Sequence, residues 1–185
     1  MTMYCRMPTA KPADLINAIT RVVLQVFRLN GRLLAAGDRL VEDLGLTSAR
    51  WQVLGAISVA HTPQPVANIA RSMGLTRQAV QRTVNELAES GLLSFAPNPH
   101  HQRAQLVMLT KKGVAAYDAA MARQAPWANI LGAGLHAKDL AIAEHVLSGL
   151  TERLEAAESQ PVRNAGRGRS RIHAKARRRS YGKAR

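Results

Sequence analysis

Few of the residues that cross-link small proteins or build β-sheets occur in this sequence. Cysteine occurs once, as Cys5, which excludes an internal disulfide. Aromatic residues make up 4% of the 185 positions, whereas hydrophobic residues make up 46%. Ala, Leu and Val carry that fraction and suit packed helices better than sheets, and a chain of this length buries a core without disulfide or metal cross-links. The composition therefore predicts a mainly α-helical fold.

Long apolar runs are also missing. No stretch approaches the roughly 18 residues that a membrane span requires, and the N-terminus lacks the pattern of a signal peptide. We therefore expect a cytoplasmic protein with no membrane partner. The sequence also lacks a Gly-rich phosphate loop, a cluster with metal-ligand spacing and a recognisable nucleophile motif. These absences predict no enzyme activity, no catalytic residues, no metal and no cofactor.

Acidic residues are confined to the first part of the chain. Residues 1–160 hold 16 basic and 12 acidic residues, a charge of +4, whereas residues 161–185 hold ten basic residues and no acid. This segment contains Gly, Ser and Ala but few large apolar side chains, which predicts a disordered tail. The net charge of +14 favours a nucleic acid as the partner, with an anionic membrane surface as the alternative.

Apolar residues repeat at helical spacing in the first third of the chain. From residue 12 to about residue 43 they recur every three or four positions, as Leu15, Ile19, Val22, Val26, Leu29 and Leu33. Gly31 and Gly37 are expected to bend or break this helix. A second helix is predicted from residue 48 to about residue 60, with Thr47 as its N-cap. Its inward-facing residues should be Trp51, Leu54 and Ile57, and residues 61–64 should form the exit loop.

Two short helical patterns follow, at residues 65–73 and 76–90, separated only by Gly74 and Leu75. Glycine suits a tight turn and Thr76 suits an N-cap, so this layout predicts a helix-turn-helix that ends at Gly91. Two stretches of strand character, 92–96 and 105–109, then predict a β-hairpin, or wing.

The helix predicted at residues 76–90 has one packing face and one polar face. At about 100° per residue, the polar side chains share an arc of about 140° that contains Arg77, Gln78, Gln81, Arg82 and Asn85. Glu86 and Glu89 fall outside this arc, and the packing face holds Ala79, Val80, Thr83, Val84 and Leu87. Arg, Gln and Asn pair bidentately with base edges, so we predict that this helix, with Thr76 at its start, enters the major groove of DNA. The alternative is an ordinary solvated helix face.

Two further helices are predicted after the wing. One starts at Thr110 and runs towards Leu131, and Gly132 and Gly134 separate it from the last, from about residue 137 to residue 157. The last helix carries a seam of Leu140, Ala143, Leu147, Leu150, Leu154 and Ala157. Seams of this kind suit helix packing between two copies of a DNA-binding chain, or an intramolecular core as the alternative.

Several short motifs in order carry a family resemblance. They are Gly45-Leu46-Thr47, Trp51-Gln52-Val53-Leu54, Ile69-Ala70 to Gly74-Leu75, Gln81-Arg82, Leu87 with Gly91-Leu92, and Leu109-Thr110-Lys111-Lys112-Gly113. Through these motifs, residues 44–115 resemble the MarR family, the multiple-antibiotic-resistance regulators. The resemblance implies a winged helix-turn-helix at 47–110, and a homodimer held by helices 13–43 and 137–158 that binds a palindromic operator in double-stranded DNA. The predicted organisation is thus an irregular 1–12, one MarR-like domain at 13–160, and the basic tail at 161–185.

The wing departs from the family pattern. Wings of this family usually carry Asp-x-Arg, in which the aspartate orients an arginine towards the minor groove, whereas this chain has His101-Gln102-Arg103. We predict that His100, His101 and Arg103 contact the minor groove or phosphates, with Arg103 held less rigidly. Metal binding or pH sensing by the two histidines is the alternative to a solvated wing tip.

The resemblance also implies a sensor. Relatives often bind small aromatic ligands between the dimer and DNA-binding domains, and some sense oxidants through a cysteine near the first helix. Cys5 beside Arg6 is the corresponding candidate here, and Trp51 and Trp127 could line a ligand crevice or belong to the core. We therefore predict a nucleoid-associated regulator, with repression released by a small ligand. The alternative is a nonspecific architectural protein dominated by tail contacts to phosphate, including those of Arg177, Arg178 and Arg179.

Overall fold

The fold is mainly helical and is seen in a computed structural model that describes residues 12–99, 101 and 103–159. Cys5, His100, Gln102 and the basic tail lie outside the described residues. The helices are α1 Pro12–Val41, α2 Ser48–Val59, α3 Val66–Ser72, α4 Arg77–Glu89, α5 Lys111–Gly132 and α6 Ala137–Ser159. The strands are β1 Gln64–Pro65, β2 Leu93–Ala96 and β3 Leu106–Leu109. The predicted fold class is confirmed.

The chain divides into two compact units. The first ends at Leu131 and the second begins at Gly132. The first unit contains α1 to α4, the three strands and nearly all of α5, whereas α6 belongs to the second. Gly134, at a φ of 81°, follows the end of α5, as expected for a helix-breaking position.

Helix α1 runs without a break, so the expected break at Gly31 or Gly37 does not occur. Gly31 has open space around its Cα, and Gly37 is buried where the start of α2 lies against α1. A Cβ at Gly37 would overlap the Ser48 Oγ. Glycine costs an interior helix turn only about 1 kcal/mol, which the packing and hydrogen bonds at this contact can offset.

Hydrogen bonds hold α2 against α1 at the same contact. The Ser48 hydroxyl donates to the Leu34 carbonyl at 2.8 Å, and the Ser48 amide donates to Asp38 Oδ1 at 2.7 Å. The Thr47 hydroxyl accepts from the Arg50 amide at 3.3 Å, which confirms the predicted N-cap. A serine buried in this way is stable because its polar groups are paired.

The sheet contains a strand that the sequence did not reveal. Residues 61–64 were expected to form only a loop, but Gln64 and Pro65 form β1, paired antiparallel with Val107 and Leu106 of β3. The strand order is β1-β3-β2, and the predicted hairpin of β2 and β3 is confirmed with Leu93 opposite Leu109 and Ala96 opposite Leu106. Proline is tolerated in β1 because that strand lies at the sheet edge.

The core of the first unit joins α2, α3 and α4 to the sheet. Its fully buried members include Leu54, Val84, Leu87 and Val107. Ile57 is also buried, as predicted, whereas Trp51 is half-buried. Val53, which was not among the residues predicted to face inward, is buried. This core buries one face of α4 and leaves the other face exposed.

Candidate nucleic-acid interface

Local signals in the sequence determine where α4 begins and ends. Gly74 adopts a φ of 63° in the turn after α3, and the Thr76 hydroxyl accepts from the Ala79 amide at 3.3 Å. Gly91, at a φ of 72°, follows the C-terminal end. Positive φ at these two positions favours glycine, and the threonine cap satisfies one of the free amides of the first turn. The predicted helix-turn-helix is therefore confirmed.

The two faces of α4 differ as the sequence predicted, with one correction. Val80, Val84 and Leu87 are buried, whereas Arg77, Gln78, Arg82 and Asn85 are exposed and Gln81 is half-buried. Ala79 was expected on the packing face but is exposed. At about 100° per residue, Ala79 lies about 100° from the centre of the buried stripe, which places it at the border between the faces.

Two side-chain contacts organise the exposed face of α4. Gln81 Nε2 donates a hydrogen bond to Asn85 Oδ1 at 2.9 Å, one helical turn away. The carboxylate of Glu86 instead points to α2, where Arg50 Nε and Nη2 both lie 3.3 Å from Glu86 Oε2. This pair is partly exposed, so its contribution to stability is small. Its effect is to neutralise the acid next to the polar arc.

The wing places two predicted residues near α4. His101 and Arg103 are exposed in the segment that joins β2 to β3, where the His101 amide donates to the Asn98 carbonyl at 3.2 Å. The Ala104 amide donates to the His101 carbonyl at 3.0 Å. Among the described residues, Arg103 forms no ion pair. Its guanidinium is therefore available to a ligand.

A cleft of about 730 Å³ lies between the start of α4 and the wing. Its cationic and polar walls come from Arg77 and Gln81 of α4 and from His101 and Arg103 of the wing. The fold thus brings four predicted residues around one concave surface. Gln78, Arg82 and Asn85 are exposed on α4 but do not line the cleft, and His100 and Arg177 to Arg179 lie outside the described residues.

Sequence reasoning missed other residues of this cleft. The start of α3 contributes Asn68, whose Oδ1 accepts from Arg71 Nη1 at 3.2 Å, and β2 contributes the partly exposed Phe95. Nothing in their spacing marks either residue, because their position near α4 depends on tertiary packing. An exposed polar residue in the first helix of a helix-turn-helix is the one signal that could have drawn attention to Asn68.

A compact joint connects the C-terminal end of α4 to α5. The Thr110 hydroxyl donates to the Gly91 carbonyl at 2.8 Å, and Lys112 Nζ donates to the Ser90 carbonyl at 2.9 Å. Gly113 is buried against the Leu92 carbonyl, where a Cβ would overlap the oxygen. These contacts account for three residues of the Thr110-Lys111-Lys112-Gly113 motif. The side chains of Thr110 and Lys112 donate the hydrogen bonds, and the absence of a side chain at Gly113 allows the close approach.

In the part of the chain that the structure describes, no group of three or more His, Cys, Asp or Glu side chains could hold a metal ion. Within the same residues, no helix combines the length and apolar character of a membrane span.

The winged helix-turn-helix is similar to known proteins. Residues 44–104 match the model of the MarR family. This part of the chain is therefore similar to the MarR family. The match covers α2, α3, α4 and β2, and extends into the wing. It therefore includes the whole polar arc.

Curated relatives share the same part of the chain. An uncharacterized protein of Mycobacterium bovis is 41% identical over 95 residues, which cover 51% of this chain and 65% of the relative. The transcriptional activatory protein BadR of Rhodopseudomonas palustris is 29% identical over 111 residues, which cover 58% of this chain and 63% of that protein. The chain thus spans a little under two thirds of the length of these relatives.

Solved MarR-family structures show the same fold. A mutant MarR of E. coli complexed with operator DNA superimposes with a TM-score of 0.62 at 23% identity. The match covers 76% of this chain and 99% of that protein. At this level of identity the likeness concerns the fold, and the assignment of site residues depends on the geometry described above.

Proposed function

We propose that this chain is a sequence-specific DNA-binding transcriptional regulator whose helix α4 enters the major groove. The observation that carries the proposal is the cleft between α4 and the wing, which is lined by Arg77, Gln81, His101 and Arg103. Arginine and glutamine read base edges in the major groove, and a cationic wing fits the adjacent phosphates or minor groove. The match of residues 44–104 to the MarR family model and the operator complex of the structurally similar MarR support this function.

The proposed contacts belong to α4 and to the wing. On α4, the residues proposed to lie in the major groove are Thr76, Arg77, Gln78, Gln81, Arg82 and Asn85. Arg103 and His101 are proposed to contact the backbone or minor groove, together with His100. Because the wing lacks the usual aspartate, Arg103 supplies charge without a carboxylate partner on its own loop.

The assembly is proposed to be a homodimer on a palindromic operator. The predicted apolar stripe of α1 is exposed along its whole length, with exposed fractions between 37% at Val22 and 54% at Leu15. In the second unit, Leu140, Leu147 and Leu154 of α6 are also exposed. Apolar faces of this extent favour burial against a partner, and two recognition helices about one DNA turn apart would double the contacts with a symmetric site.

Regulation is proposed to be repression in the cytoplasm, released by a small aromatic ligand. The direction of regulation is a separate question from DNA binding, because the relative BadR is an activatory protein. Transcription from the bound promoter, measured with and without the chain, tests the direction. A rise in transcription on addition of the chain would contradict repression while leaving the DNA-binding function intact.

The binding of DNA fragments tests whether the chain binds DNA sequence-specifically. The purified chain is incubated with fragmented genomic DNA, and the bound fragments are sequenced and compared with random DNA at several salt concentrations. A regulator should prefer its site on the order of a thousandfold. Equal affinity for all fragments, with a steep salt dependence, would contradict sequence-specific regulation.

A second candidate function predicts equal affinity for all fragments and a steep salt dependence. The ten basic residues of the tail favour a nonspecific nucleic-acid-binding architectural protein, in which counterion release from phosphates dominates the affinity. In that case the helix-turn-helix adds affinity but little selectivity. The salt series separates the two functions because base contacts lose far less affinity with salt than phosphate contacts do.

A further inference from the structure

The hydrogen bond between Gln81 and Asn85 determines how the asparagine amide faces the DNA. Gln81 Nε2 donates to Asn85 Oδ1 at 2.9 Å, so the carbonyl end of the Asn85 amide points back towards Gln81. An amide oxygen has two lone pairs, and this bond occupies one of them. The second lone pair and both Nδ2 hydrogens remain available. Among the described residues, the amide oxygen of Gln81 accepts no side-chain hydrogen bond.

Nearby groups on the same helix leave this pair undisturbed. Asn85 is exposed and Gln81 is half-buried beside the cleft. The carboxylate of Glu86, which follows Asn85 in the chain, is held by Arg50 on α2. The acid next to Asn85 therefore does not compete for the Nδ2 hydrogens.

We propose that Asn85 reads an adenine in the major groove and that Gln81 is the positioning residue that orients it. This inference depends on the proposed DNA-binding function and names the base that one side chain recognises. Adenine offers the N7 acceptor and the N6 amino donor in the major groove, which an asparagine amide matches with Nδ2 and Oδ1. With Oδ1 fixed by Gln81, the amide is held in one of its two flip states. Less conformational freedom is then lost on binding.

A structural role for the pair would have a different consequence. Polar pairs four residues apart stabilise a helix by about 0.2–0.5 kcal/mol without any ligand. In that case their substitution would change the stability of α4 slightly and leave base preference unchanged. The test therefore has to measure base preference as well as affinity.

Selection from a random duplex library provides this measurement. The full chain and its variants each select bound DNA, and the enriched sequences are compared position by position. Wild-type protein should enrich an A·T pair at one position of its site. Asn85→Ala should reduce the preference for that pair by roughly 5- to 150-fold and leave the other positions enriched.

Gln81→Glu tests whether Gln81 orients the Asn85 amide or only contacts it. A carboxylate at residue 81 can only accept, so it would bond to Asn85 Nδ2 and turn the amide over, which removes the match to adenine. Gln52→Glu is the control, because it introduces the same charge at an exposed position of α2 that is not assigned to the DNA interface and does not bond to Asn85. Gln81→Glu should change the base chosen at the Asn85 position, whereas Gln52→Glu should leave it unchanged. Circular dichroism on each variant confirms that the fold is kept.

The outcomes distinguish this inference from the proposed function. If the wild-type protein enriches no site, sequence-specific binding fails. If it enriches a site whose Asn85-dependent position is not A·T, adenine reading fails and the proposed function stands. If Asn85→Ala changes that position but Gln81→Glu does not, the orienting role of Gln81 is overturned.

Discussion

Arg82 lies on the exposed side of α4, one turn before Glu86, and forms no ion pair among the described residues. On the same arc, Arg77 and Gln81 line the cleft and Asn85 accepts a hydrogen bond from Gln81, whereas Arg82 does not line the cleft. A guanidinium in this position can contact guanine through two parallel hydrogen bonds or bind a phosphate. The two possibilities differ in whether the contact depends on sequence.

Replacement of Arg82 distinguishes a contact with a base from a contact with a phosphate. Arg82→Ala should weaken binding to the specific site by about 1–3 kcal/mol if Arg82 contacts a base, while random DNA is affected less. Titration of both DNAs by fluorescence anisotropy measures the difference. Lys138→Ala, which removes one exposed positive charge from α6, serves as the charge-matched control. Equal losses on both DNAs would show that Arg82 contacts phosphate.

At the scale of elements, the joint between α4 and α5 determines how the recognition helix is held. Three hydrogen bonds from Thr110 and Lys112 end on the carbonyls of residues 90–92. Gly113 allows the first turn of α5 to approach the Leu92 carbonyl closely. Any side chain at residue 113 would have to displace the backbone of Leu92, which moves less readily than a flexible side chain.

Gly113→Ala should therefore destabilise the fold. We expect a loss of about 1–3 kcal/mol in the free energy of unfolding, because the added methyl group overpacks a buried contact. Urea denaturation followed by circular dichroism measures it. Gly132→Ala, at the other end of the same helix, has open space around its Cα and should change stability little. Similar values for the two variants would contradict the importance of the close approach.

At the scale of the whole molecule, the exposed apolar stripe of α1 predicts self-association. Light scattering at micromolar concentration should give the mass of a dimer, twice 20.1 kDa. Ile19→Glu, near the N-terminal end of the stripe, should shift the equilibrium towards monomer because it places a charge in an apolar contact. A stable wild-type monomer at this concentration would remove the dimer from the proposal.

The basic tail should act on all DNA alike. Deleting residues 161–185 removes ten positive charges, so affinity should fall on every sequence and its dependence on salt should become less steep. The preferred site should remain the same, since α4 is unchanged. The library selection described for Asn85 compares the two chains. Loss of site preference with the tail would place specificity in the tail instead of α4.

Elements with strong local signals could be predicted from the sequence. The periodicity of apolar residues located α2, α4 and α6. Thr47 and Thr76 marked the starts of two helices, and the helical spacing of polar and apolar residues identified the polar arc of α4. These features depend on neighbours within a few positions along the chain, so the order of the residues determines them. The motifs that carry the MarR resemblance are local for the same reason.

Tertiary structure decided the features that depend on distant residues. Strand β1 exists only because Gln64 and Pro65 pair with β3, and the glycine at residue 37 is explained only by the position of Ser48. The cleft likewise requires the wing to lie beside α4, which brings Arg103 near Arg77 across 26 positions of sequence. The sequence by itself determined which residues form the polar face of α4, whereas packing of the core determined which of them share a surface with the wing, because distance in space is not encoded by local periodicity.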